Sequence, residues 1–238
     1  MITNQYEPGK DEGVGEPTAS GVCRSLSEGF ARVGAILWIG GFVIGPDRAS
    51  HESPFGFGDD AVVGLATVSQ TAGELVAGGV TLLERGNRYA AAALIRQLVE
   101  VEYLAWPFAE NHAVAADWLR STREERLASW APARLRERAS GRFDAADYWS
   151  RCELGGHPTP SRTALLPDHA RGIGLSAVWL ELTTHGVGGW RHLLNALSSA
   201  GWQDALGEGL IEPVEAAIRA WEQDSEQGHP RPEFGEQT

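Results

Sequence analysis

NRYAAAALIRQLVEVEYLAWPFA, residues 87–109, carries a strong helical periodicity. Leu94, Leu98, Val101 and Ala105 make one stripe, and Ile95, Val99 and Trp106 run beside it. Apolar residues recurring three and four apart mark an amphipathic helix. Pro107 is expected to kink its last turn, because proline has no N–H and crowds the preceding turn. Arg96 and Glu100 sit four apart, so a local ion pair is expected between them. Glu102 is different, because it falls on the Ile95, Val99, Trp106 stripe. A carboxylate on an apolar stripe must find a partner or shift its pKa. The expectation is an arginine partner, with a functional carboxylate as the alternative.

The same periodicity extends in both directions. A first helix is predicted from about Ser20 to Ile44 and stops at Gly45-Pro46-Asp47. The Gly, Pro, Ser and Asp content of 46–58 predicts a loop. Asp59 and Asp60 offer an N-cap and favourable charge for a helix carrying Val63, Leu65, Val68, Leu75, Val76 and Leu82, ending near Gly86. After 87–109, a helix is predicted over Ala113–Trp130 and a short, arginine-rich, solvated one over Ala131–Ala139. Phe143–Leu154 is predicted helical, and 158–169, with three prolines, irregular. A long apolar helix follows over Ile173–Ala200, with a bend expected at Gly186–Gly189, and the last helix covers Ile211–Trp221. Strand signals are poor, so the prediction is an all-α bundle in a single domain over 19–222. Residues 1–18 read as a disordered arm and 223–238 as a disordered acidic tail.

The chain has 238 residues, 42% of them hydrophobic, enough for one large helical core. Its formal net charge is −12, which argues against a dedicated duplex nucleic-acid binder. The charge is uneven: acids dominate from Asp204 onward, whereas arginines slightly outnumber acids between Asp117 and Arg151. Cys23 and Cys152 are too few for a disulfide framework and read as reduced thiols. With no signal peptide visible and the apolar run 33–45 short of the ~20 residues that span a bilayer, the expectation is a cytoplasmic chain with no membrane contact.

One motif points to chemistry. Arg151 and His157 are separated by five residues, at the end of a predicted helix closed by Gly155, Gly156 and Pro158. A helical Tyr148 shares a face with Arg151. Arginine grips phosphate with two parallel hydrogen bonds, and histidine titrates near neutrality. Such a pair suits phosphodiester cleavage without a metal or other cofactor. The alternative is structural, with Arg151 paired to Asp147 and His157 capping helix-end carbonyls.

The order Asn87-Arg88, Arg96-Gln97-Leu98-Val99-Glu100, an arginine-rich helix, then Tyr148, Arg151 and His157-Pro158 resembles uncharacterised bacterial helical families distantly related to HEPN domains. The resemblance covers roughly residues 60–200. HEPN domains are helical bundles with an Arg-x(4–6)-His motif, and many are metal-independent ribonucleases of toxin–antitoxin, abortive-infection and CRISPR systems. The resemblance implies a HEPN-like bundle, a homodimer, an RNA substrate, a defence or toxin role and a protein partner such as an antitoxin. It implies Arg151 and His157 as the catalytic pair; Tyr148, Glu102, Arg96, Glu181 and His185 are the candidate supporting residues from the reading of the sequence itself. Cys152 and the glycine pair before His157 depart from the family's usual pattern, which leaves a catalytically silent, partner-binding bundle as the second reading.

Glu181, His185 and His192 share a helix face. Two histidines and a carboxylate on one face suit a metal, with His112 or His157 joining from elsewhere, so a metal-dependent bundle enzyme is the third reading. Against it stands a core pair in which Glu181 holds His185, and no bound metal is expected. Gly172-Ile173-Gly174-Leu175-Ser176-Ala177 matches a dinucleotide fingerprint but lacks the preceding strand that the motif needs. The nine tryptophans are expected mainly in the core and at interfaces.

Overall fold

The computed structural model describes residues 19–143, 160, 165, 166 and 174–228, with side chains to 224. Among the described residues all long elements are helices and there is no strand. In chain order they are α1 (Ala19–Val43), α2 (Pro46–Ser50), α3 (Asp60–Glu84), α4 (Arg88–Glu110), α5 (Val114–Arg120), α6 (Arg123–Glu125), a π-helical turn (Arg126–Trp130), α7 (Pro132–Arg138), α8 (Leu175–Ser199), α9 (Gln203–Leu206) and α10 (Glu208–Gly228).

α3 is the central helix because it is apolar on more than one face. Val62, Val63, Leu65, Ala66, Val68, Ala72, Leu75, Val76 and Val80 are all buried, and a helix apolar nearly all round belongs inside. It packs against α1, α4, α5 and α8. α4 runs along α8, and α10 covers α1. Between α1 and α3 the Ser69 hydroxyl donates to the Phe30 carbonyl at 2.7 Å. Phe30 meets Trp190 edge to face at 5.2 Å. Burying one such side chain stabilises by about 2–3 kcal/mol, and the ring geometry adds about 1 kcal/mol. Gly64 allows α5 to approach α3, since a Cβ there would stand 2.7 Å from the Ala115 carbonyl oxygen.

Several boundaries differ from the sequence reading. The 46–58 loop contains one helical turn, α2, opened by Pro46 with its preset φ. The single helix expected over 113–130 is broken. Ser121 is extended at φ −62° and ψ 139°, and Thr122 restarts the chain with a capping box. The Thr122 hydroxyl accepts from the Glu125 N–H at 3.2 Å, and the Glu125 carboxylate accepts from the Thr122 N–H at 2.7 Å. Two orphan donors are thereby satisfied, which makes a new start favourable. α8 runs unbroken through Gly186–Gly189. α10 begins at Glu208 and continues to Gly228, beyond Trp221. The arm 1–18, the tail after Gly228, the helix predicted from Phe143 to Leu154 beyond its first residue, and most of 158–169 lie outside the described residues.

The C-terminal end of α1 is an apolar surface. Ile36, Ile39, Phe42, Val43 and Ile44 are exposed there, with Phe55 from the following loop. Trp38, Phe42 and Phe57 form a ring cluster with centroid separations of 5.6–6.1 Å. The stretch Ala19–Ser50, which begins with α1, is long and apolar enough to cross a membrane by length and composition alone, although α1 packs along α3.

Candidate functional site

The seam between α4 and α8 holds a carboxylate and an imidazole in contact. Glu102 Oε2 lies 2.6 Å from Nδ1 of His185, a length typical of a charge-assisted hydrogen bond. His185 is 7% exposed. Gly188, three residues further along α8, makes the contact feasible. A Cβ at that position would collide with the Glu102 carboxylate. Glu181, one turn before His185, places Oε2 3.7 Å from His185 Nε2.

Two sequence expectations are corrected here. The partner of Glu102 is His185, not an arginine, because the helix facing its stripe offers an imidazole at that level. Arg96 is instead paired with Glu100 at 2.8 Å, the local pair that the i,i+4 spacing predicts. The hydrogen-bond partner of His185 is Glu102 rather than Glu181, whose 3.7 Å separation is too long for a hydrogen bond.

His192 continues this face of α8 two turns beyond His185. Burial lowers its pKa below the ordinary histidine value, opposed by the charges of Glu102 and Glu110 and reinforced by Arg142. The wall beside it is aromatic. Phe143 packs on Tyr103 with a centroid separation of 4.1 Å and a 32° tilt, and meets Trp106 edge to face at 6.0 Å. The Arg142 guanidinium lies 5.9 Å from the Trp106 ring centre. The Trp106 indole N–H is buried with no acceptor among the described residues.

A carboxylate bonded to Nδ1 orients the ring and favours the tautomer that carries its proton there. Glu102 and His185 thus form an oriented carboxylate–imidazole pair. Among the described residues no group of three or more His, Cys, Asp or Glu side chains is arranged to hold a metal. His112 Nδ1 is hydrogen-bonded to the Ser199 hydroxyl at 3.1 Å. Tyr148, Arg151 and His157 lie outside the described residues. Phe143 is the last described residue before them, and it sits on Tyr103, the immediate neighbour of Glu102.

A second polar cluster escaped the sequence reading. Arg120 at the end of α5 donates through Nε to Asp60 at 2.6 Å and reaches Asp47 through Nη2 at 2.9 Å. Asp60 is fully buried. It also accepts from the Ser53 hydroxyl at 2.6 Å, while its backbone N–H donates to Asp47 at 2.8 Å. The neighbouring Asp59 is the N-cap, accepting from the Val62 N–H at 3.0 Å. The two aspartates that looked alike in sequence therefore have different tasks: one caps α3, and the other anchors the 46–58 loop and α5 to it.

No family model matches the chain, and neither a curated protein nor a solved structure matches it.

Proposed function

We propose that the chain is a HEPN-like ribonuclease that cuts RNA without a metal, with Arg151 and His157 as its catalytic residues. The observation that carries the reading is the Arg151…His157 spacing in a chain whose described residues fold as a helical bundle. The hydrogen-bonded Glu102–His185 pair in the α4–α8 seam, near Phe143, after which the motif-bearing segment begins, supports it. In the reaction the ribose 2′-hydroxyl gives up its proton and its oxygen attacks phosphorus. The O2′–P bond forms, the P–O5′ bond breaks, and the leaving oxygen takes a proton. The products are a 2′,3′-cyclic phosphate and a 5′-hydroxyl. Arg151 stabilises the charge on the phosphate oxygens, and His157 moves the proton at one of the two oxygens. A homodimer, a cytoplasmic setting and a defence or toxin role with an antitoxin-like partner belong to the same proposal.

The test is the purified full chain acting on mixed-sequence RNA and on matching DNA with a chelator present. RNA cut to cyclic-phosphate ends with DNA intact is the expected result. Intact RNA overturns the reading. A partner-binding bundle without activity is the second reading, favoured by the exposed apolar end of α1.

A further inference from the structure

Residues 123–142 invert the charge of this acidic chain. They carry Arg123, Arg126, Arg134, Arg136, Arg138 and Arg142 against Glu124, Glu125 and Glu137, in a protein of net charge −12. Arg123, Arg126, Arg134, Arg138 and Arg142 are all exposed. The acids are partly occupied locally: Glu125 closes the Thr122 capping box, and Glu137 pairs with Arg134 at 2.9 Å. That pair is exposed on both sides and worth little, so Arg134 can exchange it for a stronger anion. Between the π-helical turn and α7 lies an open groove of about 450 Å³, lined by Ala128, Ser129, Arg134, Glu137 and Arg138.

Two of these arginines lie over tryptophan rings. The Arg138 guanidinium lies 5.6 Å from the Trp130 ring centre, and Arg142 stands over Trp106 in the same way. A guanidinium stacked on an indole keeps its N–H edge for an anion and offers a flat cation to a base. The elements hold their place on α4 through Leu135, buried with Val99 and Tyr103, and through Trp130 against Phe108 at 6.1 Å. The basic strip therefore ends, at Arg142, beside the wall of the Glu102–His185 seam.

We infer that this strip, from Arg123 through Arg134 and Arg138 to Arg142, binds the phosphate backbone of single-stranded RNA and leads it toward the α4–α8 seam. The choice of RNA rests on the function proposed above. The strip's affinity for a single-stranded polyanion rests on charge and stacking alone. The net charge of −12 over the whole chain disfavours general binding of such a strand.

The test measures binding, not cleavage. A fluorescein-labelled 2′-O-methyl oligoribonucleotide, which lacks the attacking hydroxyl, is titrated with the full chain across a range of salt concentrations and followed by anisotropy. The strip variant combines Arg123→Gln, Arg134→Gln and Arg138→Gln. A control with equal charge change combines Arg24→Gln, Arg32→Gln and Arg219→Gln, on α1 and α10. For single strands each phosphate contact contributes about 0.7 to the salt slope. Losing three lowers the slope by about 2 and weakens binding near 0.1 M salt by roughly 100-fold relative to 1 M. The control should bind like the wild type, and circular dichroism should show equal helix content in all three proteins. Equal affinity of strip variant and wild type, no wild-type binding, or tighter binding of labelled polyglutamate than of the oligonucleotide overturns the inference. Binding that follows the strip in a protein unable to cut ordinary RNA upholds the strip and defeats the proposed function instead.

Discussion

Replacing Arg120 by methionine keeps most of the side-chain volume and removes the charge that compensates a fully buried carboxylate. Asp60 would keep only the Ser53 hydroxyl, at 2.6 Å, as a side-chain donor. Asp47 would lose its 2.9 Å contact to the guanidinium. Breaking a buried ion pair by removing one partner costs about 3–5 kcal/mol, because the remaining charge stays desolvated. The Arg120 side chain is 30% exposed, so water relieves part of that loss and about 3 kcal/mol is the expected value. In a domain of this size 1 kcal/mol shifts Tm by roughly 2–4 °C, giving a fall of about 6–12 °C. Urea unfolding followed by circular dichroism at 222 nm gives the free energy directly. Asp60→Asn removes the other charge, so the double variant should be more stable than the sum of the single losses predicts, by about 0.5–3 kcal/mol. A loss below about 0.5 kcal/mol for Arg120→Met, within the range of ordinary surface changes, or strict additivity in the double variant, would refute the view that Arg120 holds the loop and α5 to α3.

Gly188→Ala should destabilise by roughly 1–3 kcal/mol in the same urea assay, because its Cβ displaces Glu102 from His185 and leaves buried polar atoms unsatisfied. The same change in an open helix is favourable by about 1 kcal/mol, so a gain in stability would contradict the close approach. His192, with its pKa lowered chiefly by burial, binds its proton more readily in the unfolded chain. Its contribution to stability is therefore present above the ordinary histidine pKa of about 6.5 and is lost as pH falls through the lowered folded value. His192→Gln should flatten the decline of stability with acid over that window, and an unchanged pH profile would contradict the burial assigned to it. Burial pushes the Cys23 thiol up to about 11, so peptide mapping after iodoacetamide treatment at neutral pH should find Cys23 unmodified in the folded protein and alkylated in denaturant.

What the sequence made legible was what periodicity governs. The stripe on α4 is buried largely as its spacing predicts, with Ile95, Leu98, Val99, Ala105 and Trp106 inside, because a helical face is a local property of the chain. The Arg96–Glu100 pair was legible for the same reason. The break at Ser121-Thr122 carried a readable signal, Thr-x-x-Glu at 122–125, that the run of apolar residues around it obscured. Glu102 announced itself as a misplaced carboxylate, but its partner did not. His185 lies 83 residues away, and only the packing of α4 on α8 brings the two together. Asp60 was hidden by its neighbour: two adjacent aspartates at a helix start read as caps, and nothing local marks which of them meets an arginine 60 residues later.

The rate of RNA cleavage by Arg151→Ala and by His157→Ala, each against the wild type with a chelator present, tests the proposed function most directly. A general acid or base contributes about 10²–10⁴-fold. Each variant should therefore lose at least about 100-fold in rate while its helical signal is unchanged, and a substrate with a 2′-deoxy sugar at the scissile position should resist the wild type. Cleavage undiminished by both substitutions, or wild-type protein that leaves RNA intact, would contradict it.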